Sequence, residues 1–430
     1  MKITRKIIRE RKKSVNVLEE IMIIINQYFP YLKNDFKNLT DIRNKCYTTY
    51  ELDIALLTKI LALTSGIQSQ KGITDNFNTD EAISNFNNIL NTNYEELPHH
   101  NTLDDIIKNL SYDELEVIQT KMIKTLIKGK LLDKYRFKDK YFLIVIDGTM
   151  LFSTNKDLGK HAITQTFYKG QENEITVYGY YVLEAKLVCG DLVFSFASEF
   201  IENSNMTREI DKQDCELKAA YRLLNKIKKR FPKLPIIISG DALYASKKFM
   251  EFASSLKFEY LIRYKEGSMP TIMEEWNNIN KMTIDKYSFV NELGFGSGTK
   301  ITEGSTNVIS LKENDKTFMF ITSIHITKNN MRDIVTFGRR RWKIENQGFK
   351  DQKKGVLNIE HITSKDFLFT RNNYLLIQFA HTLLTLLNHG NVLIKSLRET
   401  KKGISDILKT SLTHFSIPLN LNKIIQLRLP

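Results

Sequence analysis

Three carboxylates in this 430-residue chain stand where a cation could be held. They are Asp147 in Ile146-Asp-Gly-Thr149, Asp241 in Gly240-Asp-Ala-Leu-Tyr244, and Glu345 in Arg341-Trp-Lys-Ile-Glu345. Two facing carboxylates either share a proton or hold a cation. A third completes an oxygen-rich site for two divalent ions, which can activate an attacking oxygen and stabilise a leaving one at a phosphodiester. Taken alone, each Asp is ordinarily a turn or helix-cap residue. Glu345 alone could simply pair with Arg341, four residues before it, although Arg before Glu is the weaker order for such a pair. What lifts the three above that plain reading is their topological order.

The elements that must position them follow from the patterning. Tyr141 to Ile146 is an apolar, buried-strand run ending on Asp147, and Pro235 to Gly240 is another ending on Asp241. Between them lie two strand patterns, Thr176 to Cys189 and Leu192 to Ile201, joined at Gly190-Asp191 as a hairpin. A helix follows from about Glu209 to Arg230, with Leu217, Ala220, Leu224 and Ile227 on one face; then come a helix over Ser246 to Leu256 and a strand over Phe258 to Tyr264. The order β-β-β-α-β-α-β describes a mixed sheet, a three-stranded meander with two parallel additions. Its first and fourth strands are neighbours, which sets Asp147 beside Asp241 at the edge where α/β sheets collect ligands.

Residues 283–327 read as short strands with glycine turns, and Gly294 to Gly298 as a hairpin tip, since it lacks the Gly-Lys-Ser/Thr ending of a phosphate loop. Arg339 to Lys354 reads as one helix with Trp342, Glu345 and Phe349 on its apolar face. A carboxylate on such a face is costly without a counter-charge or a metal.

Upstream of residue 135 the patterns are helical. An amphipathic run covers Val15 to Phe29, and further runs cover Tyr50 to Ile67, Thr79 to Leu90 and Thr102 to Leu131. The first 13 residues hold seven Lys or Arg, among them Arg5, Lys6 and Arg9, which could touch phosphate or form a solvated arm. The net charge of +14 favours an anionic partner, nucleic acid first and an anionic membrane second. Cys46, Cys189 and Cys215 are widely spaced and form no Cys-x-x-Cys, which argues against a disulfide scaffold or a zinc site and for a reducing compartment. No run approaches 18 apolar residues; Tyr374 to Leu387 carries Gln378 and His381 and reads as a buried helix. A cytoplasmic, nucleoid-associated protein is expected.

Some rivals fall on spacing. An aspartyl-phosphate phosphatase needs a second Asp two positions before Asp147, where Val145 stands, and no histidine begins a His-x-x-Arg. The three blocks around Asp147, Asp241 and Glu345, in that order and with a β-rich insertion before the last, resemble those of insertion-sequence DDE transposases. The resemblance covers about residues 98–390. Their subgroup signature is Tyr-x-x-Arg-x-x-x-Glu, followed by six residues and then Lys. Arg341 and Glu345 fit it, whereas Gly338 takes the Tyr position and Gln352 the Lys position, with Phe337 and Lys353 each one residue away. A divergent branch is implied.

The resemblance implies an RNase H-like mixed five-stranded sheet with a β-rich insertion, preceded by an all-α N-terminal domain. Its domains would be a helical DNA-binding module over 1–135, a catalytic domain over 136–395 and a basic helical tail over 396–430. Asp147, Asp241 and Glu345 would be catalytic metal ligands for Mg²⁺, with Mn²⁺ as a substitute. Arg341 would contact DNA phosphate, joined on charge by Arg339, Arg340 and Lys353. Double-stranded DNA, both transposon ends and target, would be the partner of a homodimer, with no membrane involved. The activity implied is cleavage at transposon ends and joining of the freed 3′ hydroxyls to target DNA. The rivals are an idle DNA-binding relative and a nuclease of the same fold without strand transfer.

Overall fold

The computed structural model describes residues 15–203, 213–295, 304–415 and 419–430. Arg5, Lys6 and Arg9, and most of the Gly294 to Gly298 stretch, lie outside them. The chain forms two compact units: Met1–Leu131 with Leu151–Tyr180 and Phe349–Pro430, and Leu132–Met150 with Tyr181–Gly348.

The first unit is built on the helix Phe367–Gly390. Its residues from Asn372 to Leu387 are all buried, Gln378 and His381 included, so the helix has no solvent face over that length. Helices Val17–Tyr28, Leu52–Thr64, His100–Asn109 and Tyr112–Lys128 pack around it. Asn372 donates from Nδ2 to the carbonyls of Ile107 (2.8 Å) and Leu110 (2.9 Å), satisfying the end of the neighbouring helix. Phe379 stacks on Phe36 with ring centroids 5.9 Å apart. Among the described residues no helix is long and apolar enough to cross a membrane.

This grouping differs from the expected three-domain division. The C-terminal helices share one core with the N-terminal ones, Phe367–Gly390 packing against four of them. Local boundaries differ too. The run expected over Thr102 to Leu131 is two helices, with Ser111 capping the second by accepting from Glu114 N–H, and Ser69 caps a further helix, Gln70–Phe77. Thr79 caps its helix as its side chain suggests.

The second unit holds the mixed sheet. Its strands are the first part of β1 (Phe142–Thr154), most of β3 (Ile175–Cys189), β4 (Leu192–Ile201), β5 (Ile236–Gly240) and β6 (Glu259–Tyr264). They lie in the order β4-β3-β1-β5-β6, the expected RNase H-like arrangement. β1 pairs with β5 in parallel from Phe142↔Ile236 to Val145↔Ser239, and β5 pairs with β6 in parallel. β3 and β4 are antiparallel around a turn at Gly190, whose φ of 63° suits glycine.

The insertion is not a separate lobe. Its strands β7 (Met282–Ile284), β8 (Tyr287–Gly294), β9 (Ser305–Glu313) and β10 (Lys316–Thr322) continue the same sheet, because β10 pairs antiparallel with β6 from Met319↔Tyr264 to Thr322↔Leu261. This pairing covers what would otherwise be an open parallel edge. In the first unit, β2 (Ile163–Phe167) pairs with the start of β3.

A chain ended at Leu131 lacks Phe367–Gly390 and so loses the centre of its core. Circular dichroism should show no cooperative thermal transition for that fragment, whereas full-length protein should melt cooperatively. A sharp transition in the fragment would show that the N-terminal helices close a core alone.

Candidate active site

Asp147 and Asp241 owe their placement to one strand pairing. Val145 and Ser239 are the last partners in the β1/β5 register, and each aspartate lies two residues further on. Neighbouring strands are about 4.8 Å apart, so the two carboxylates leave the same edge side by side. They differ in one respect from the expected strand-end placement: β1 continues through Asp147 to Thr154, while β5 stops at Gly240. Asp241 caps a short turn, accepting from Leu243 N–H at 2.9 Å. The packing of that turn requires Gly240, since a Cβ there would come within 2.4 Å of the Tyr244 ring.

A fourth carboxylate, absent from the sequence reading, joins them. Glu216 stands in the first turn of helix Glu216–Arg230 and accepts from the buried Tyr244 hydroxyl at 2.6 Å. Its Oε2 approaches the backbone so closely that a Cβ on Gly148 would meet it at 2.4 Å. The Gly after Asp147 thus makes room for Glu216. The signal available in sequence was Asp147-Gly148 and an acidic residue at a helix start, each too common to single out.

Glu345 lies in a less regular place than expected. The long helix is broken: an α-helix covers Met331–Arg339, the chain turns at Arg340 and Arg341, and Ile344–Phe349 is π-helical before a last α-turn at Lys350–Lys354. Three adjacent arginines seek partners in different directions. Arg339 pairs with Glu313 at 2.9 Å, Arg340 lies 4.2 Å over the Phe337 ring, and Arg341 pairs with Glu345 at 2.6 Å. The π-turn widens the spacing of buried positions, so Ile344, Gly348 and Phe349 face inward. Trp342 is consequently 60% exposed, and Glu345 points outward rather than into an apolar stripe.

Behind this segment lies a buried pair, Glu184 and Lys186, 3.3 Å apart on β3. Ser195 and Ser198 donate to the Glu184 carboxylate, and burial lowers the Lys186 pKa. The Lys186 stem packs under Gly348, supporting the π-turn.

The electrostatics tie the carboxylates together. Burial pushes the Asp147 carboxyl up to about 7; negative charge on Glu216 adds to this, and that on Glu345 and Asp241 adds less, while Arg341 opposes it. Burial and the same acids hold the Tyr244 hydroxyl well above its ordinary pKa. An all-carboxylate donor set under mutual repulsion suits a hard divalent cation. Among the described residues, no three acid, His or Cys side chains converge on one point as they stand, and Glu345 is turned to Arg341. The donor set fits a hard divalent cation in its chemistry, and Glu345 would have to leave Arg341 to join it.

Gln352, at the signature's Lys position, is buried and donates to Gln378 at 2.8 Å; Lys353 pairs with Glu360 at 2.9 Å. Both belong to the first unit.

The strand order is RNase H-like, with Asp147 and Asp241 just beyond the last paired residues of two parallel strands. Residues 208–383 match the family described as Transposase DDE domain, a span that includes Asp241, Arg341 and Glu345 but not Asp147. No curated protein matches the chain. Among solved structures, a piggyBac transposase synaptic complex with hairpin DNA is similar at 11% identity and a TM-score of 0.43, over 94% of this chain and 81% of that one.

The raised Asp147 pKa carries a sign. The folded state holds this proton more tightly than the unfolded chain, whose Asp titrates near 3.8. The stability it contributes is complete below that value and is lost as pH rises through about 7. In chelator-containing buffer, Asp147→Asn should melt several degrees above wild type at pH 8, and the gap should close towards pH 4. Glu216→Gln, which removes a charge that raises the Asp147 pKa, should make the loss smaller and complete it at lower pH. A pH-independent gap for Asp147→Asn would remove the charge argument.

Proposed function

We propose that the protein is a DDE transposase that cuts transposon ends and joins the freed 3′ hydroxyls to target DNA. The observation that carries this reading is the shared register of Asp147 and Asp241, with negative charge on Glu345 adding to the raised Asp147 pKa. Asp147, Asp241 and Glu345 would hold divalent cations, Mg²⁺ or Mn²⁺ in its place. When bound, these would supply Lewis-acid stabilisation to the attacking and leaving oxygens of the phosphodiester.

The chain's own groups have distinct parts. Asp147, half-buried and reluctant to ionise, would give up its proton when a cation or DNA brings compensating charge. Arg341, whose side chain is only 11% exposed, is held one turn from Glu345 and would pass from that carboxylate to a DNA phosphate. Glu216 and Tyr244 would fix the floor beneath Asp147 through their hydrogen bond. The exposed Trp342 offers a flat apolar face beside the site, suited to stacking on a base. The basic N-terminal arm, a homodimer on DNA and a nucleoid location belong to the same reading.

Asp147→Ala, Asp241→Ala and Glu345→Ala should each abolish Mg²⁺-dependent cleavage of a labelled end while leaving DNA binding within about threefold, since affinity comes mainly from phosphate contacts. Full cleavage by any one of the three would remove that residue from the site. Nicking without strand transfer by the wild type would favour the nuclease alternative.

The displaced lysine gives a separate test. Lys353→Ala should lower single-turnover cleavage more than Lys354→Ala does. Gln352→Lys, which the signature would suggest as a rescue, should instead destabilise the protein by about 3 kcal/mol or more by burying a charge beside Gln378. Equal, small effects of the two alanine changes would mean that cleavage proceeds without Lys353.

A further inference from the structure

The first unit contains a cavity of about 540 Å³ that the active-site reading leaves unused. Lys353, Lys354, Lys401, Lys402 and Lys409 line it. Acids match two of them, Glu360 on Lys353 at 2.9 Å and Asp351 on Lys401 at 2.7 Å. Lys354 and Lys402 are exposed and Lys409 is half-buried, so positive charge is in excess even with Asp406 also in the lining.

The position of two of these lysines is the telling detail. Lys401 and Lys402 open the helix Lys401–Thr413, and its first turn holds no acid. The positive end of a helix dipole favours anions and disfavours cations. Asp351 offsets Lys401, so Lys402 is the first-turn cation that runs against this rule, and such exceptions tend to mark functional places. A bound anion would turn this arrangement favourable, since the lysines and the helix N-terminus would both act on it.

Elsewhere the lining is polar but neutral. Asn358, Asn388 and Thr385 offer amide and hydroxyl groups that both donate and accept hydrogen bonds. The volume falls in the range of small-molecule sites and exceeds what a bare phosphate fills. We propose that this cavity binds a phosphate-bearing nucleotide, with the lysines on the phosphate and the amides on the base edge. The nucleotide either belongs to a DNA strand, which deepens the transposase reading and rests on it, or arrives free.

Lysine footprinting on the full chain tests this. The protein is acetylated briefly alone, with a single-stranded deoxyoligonucleotide, or with dAMP, and each lysine is read by mass spectrometry. Protection of Lys402 and Lys409 by at least about threefold with the oligonucleotide alone assigns a nucleotide within a strand; equal protection by dAMP assigns a free one. Unchanged reactivity of both lysines in both arms overturns the proposal. For the strand case, Lys402→Glu with Lys409→Glu should weaken oligonucleotide binding about tenfold and reduce the salt slope by about 1.4, the value for two single-strand phosphate contacts. The same footprint on Asp147→Ala separates the two readings. Protection in that variant supports the cavity whatever the outcome of the cleavage assays.

Discussion

The site depends on four residue pairs of parallel strand. The β1/β5 register from Phe142↔Ile236 to Val145↔Ser239 delivers Asp147 and Asp241 to one edge at the same height. Both strands are fully buried over this stretch, so a slip of one residue would turn apolar side chains away from their packing on both faces. Hydrophobic burial of Ile144, Val145, Ile237 and Ile238 thereby fixes where two acids must stand. The core imposes the electrostatic strain at the site, and the raised Asp147 pKa is its mark.

That strain is managed locally. Tyr244 donates to Glu216, Leu243 N–H donates to Asp241, and Arg341 pairs with Glu345. Each contact addresses one acid, and none neutralises Asp147. On the proposed reading, such a site would gain from a cation, which would remove several repulsions at once. The π-turn has a related role. It leaves Glu345 on an exposed, irregular stretch held from behind by the buried Glu184–Lys186 pair, so the carboxylate can change partner while the chain beneath it stays packed.

Much of this was legible in the sequence, and the reasons differ by element. Leu192–Ile201 was read to the residue, and β3 to within one, because alternating and apolar runs bounded by Gly190-Asp191 leave little choice. The neighbouring of β1 and β5 followed from connection rules. The broken helix was not legible. Residues 339–354 have good helical composition, and the break goes with partners such as Glu313 that a distant segment supplies. Glu216 was missed because its importance lies in its distance from Gly148, which sequence spacing does not encode. The grouping of Phe367–Gly390 with the N-terminal helices was hidden for the same reason: an all-round apolar helix announces burial but not its partner.

The central claim is that Asp147 and Asp241 jointly hold a divalent cation. Anomalous X-ray scattering from crystals of the full chain soaked in Mn²⁺ measures this without reference to activity. The account predicts a peak within coordinating distance of Asp147 and Asp241, with Glu345 swung from Arg341 towards it. Ordered carboxylates with no peak between them, under Mn²⁺ concentrations that support cleavage, would contradict it.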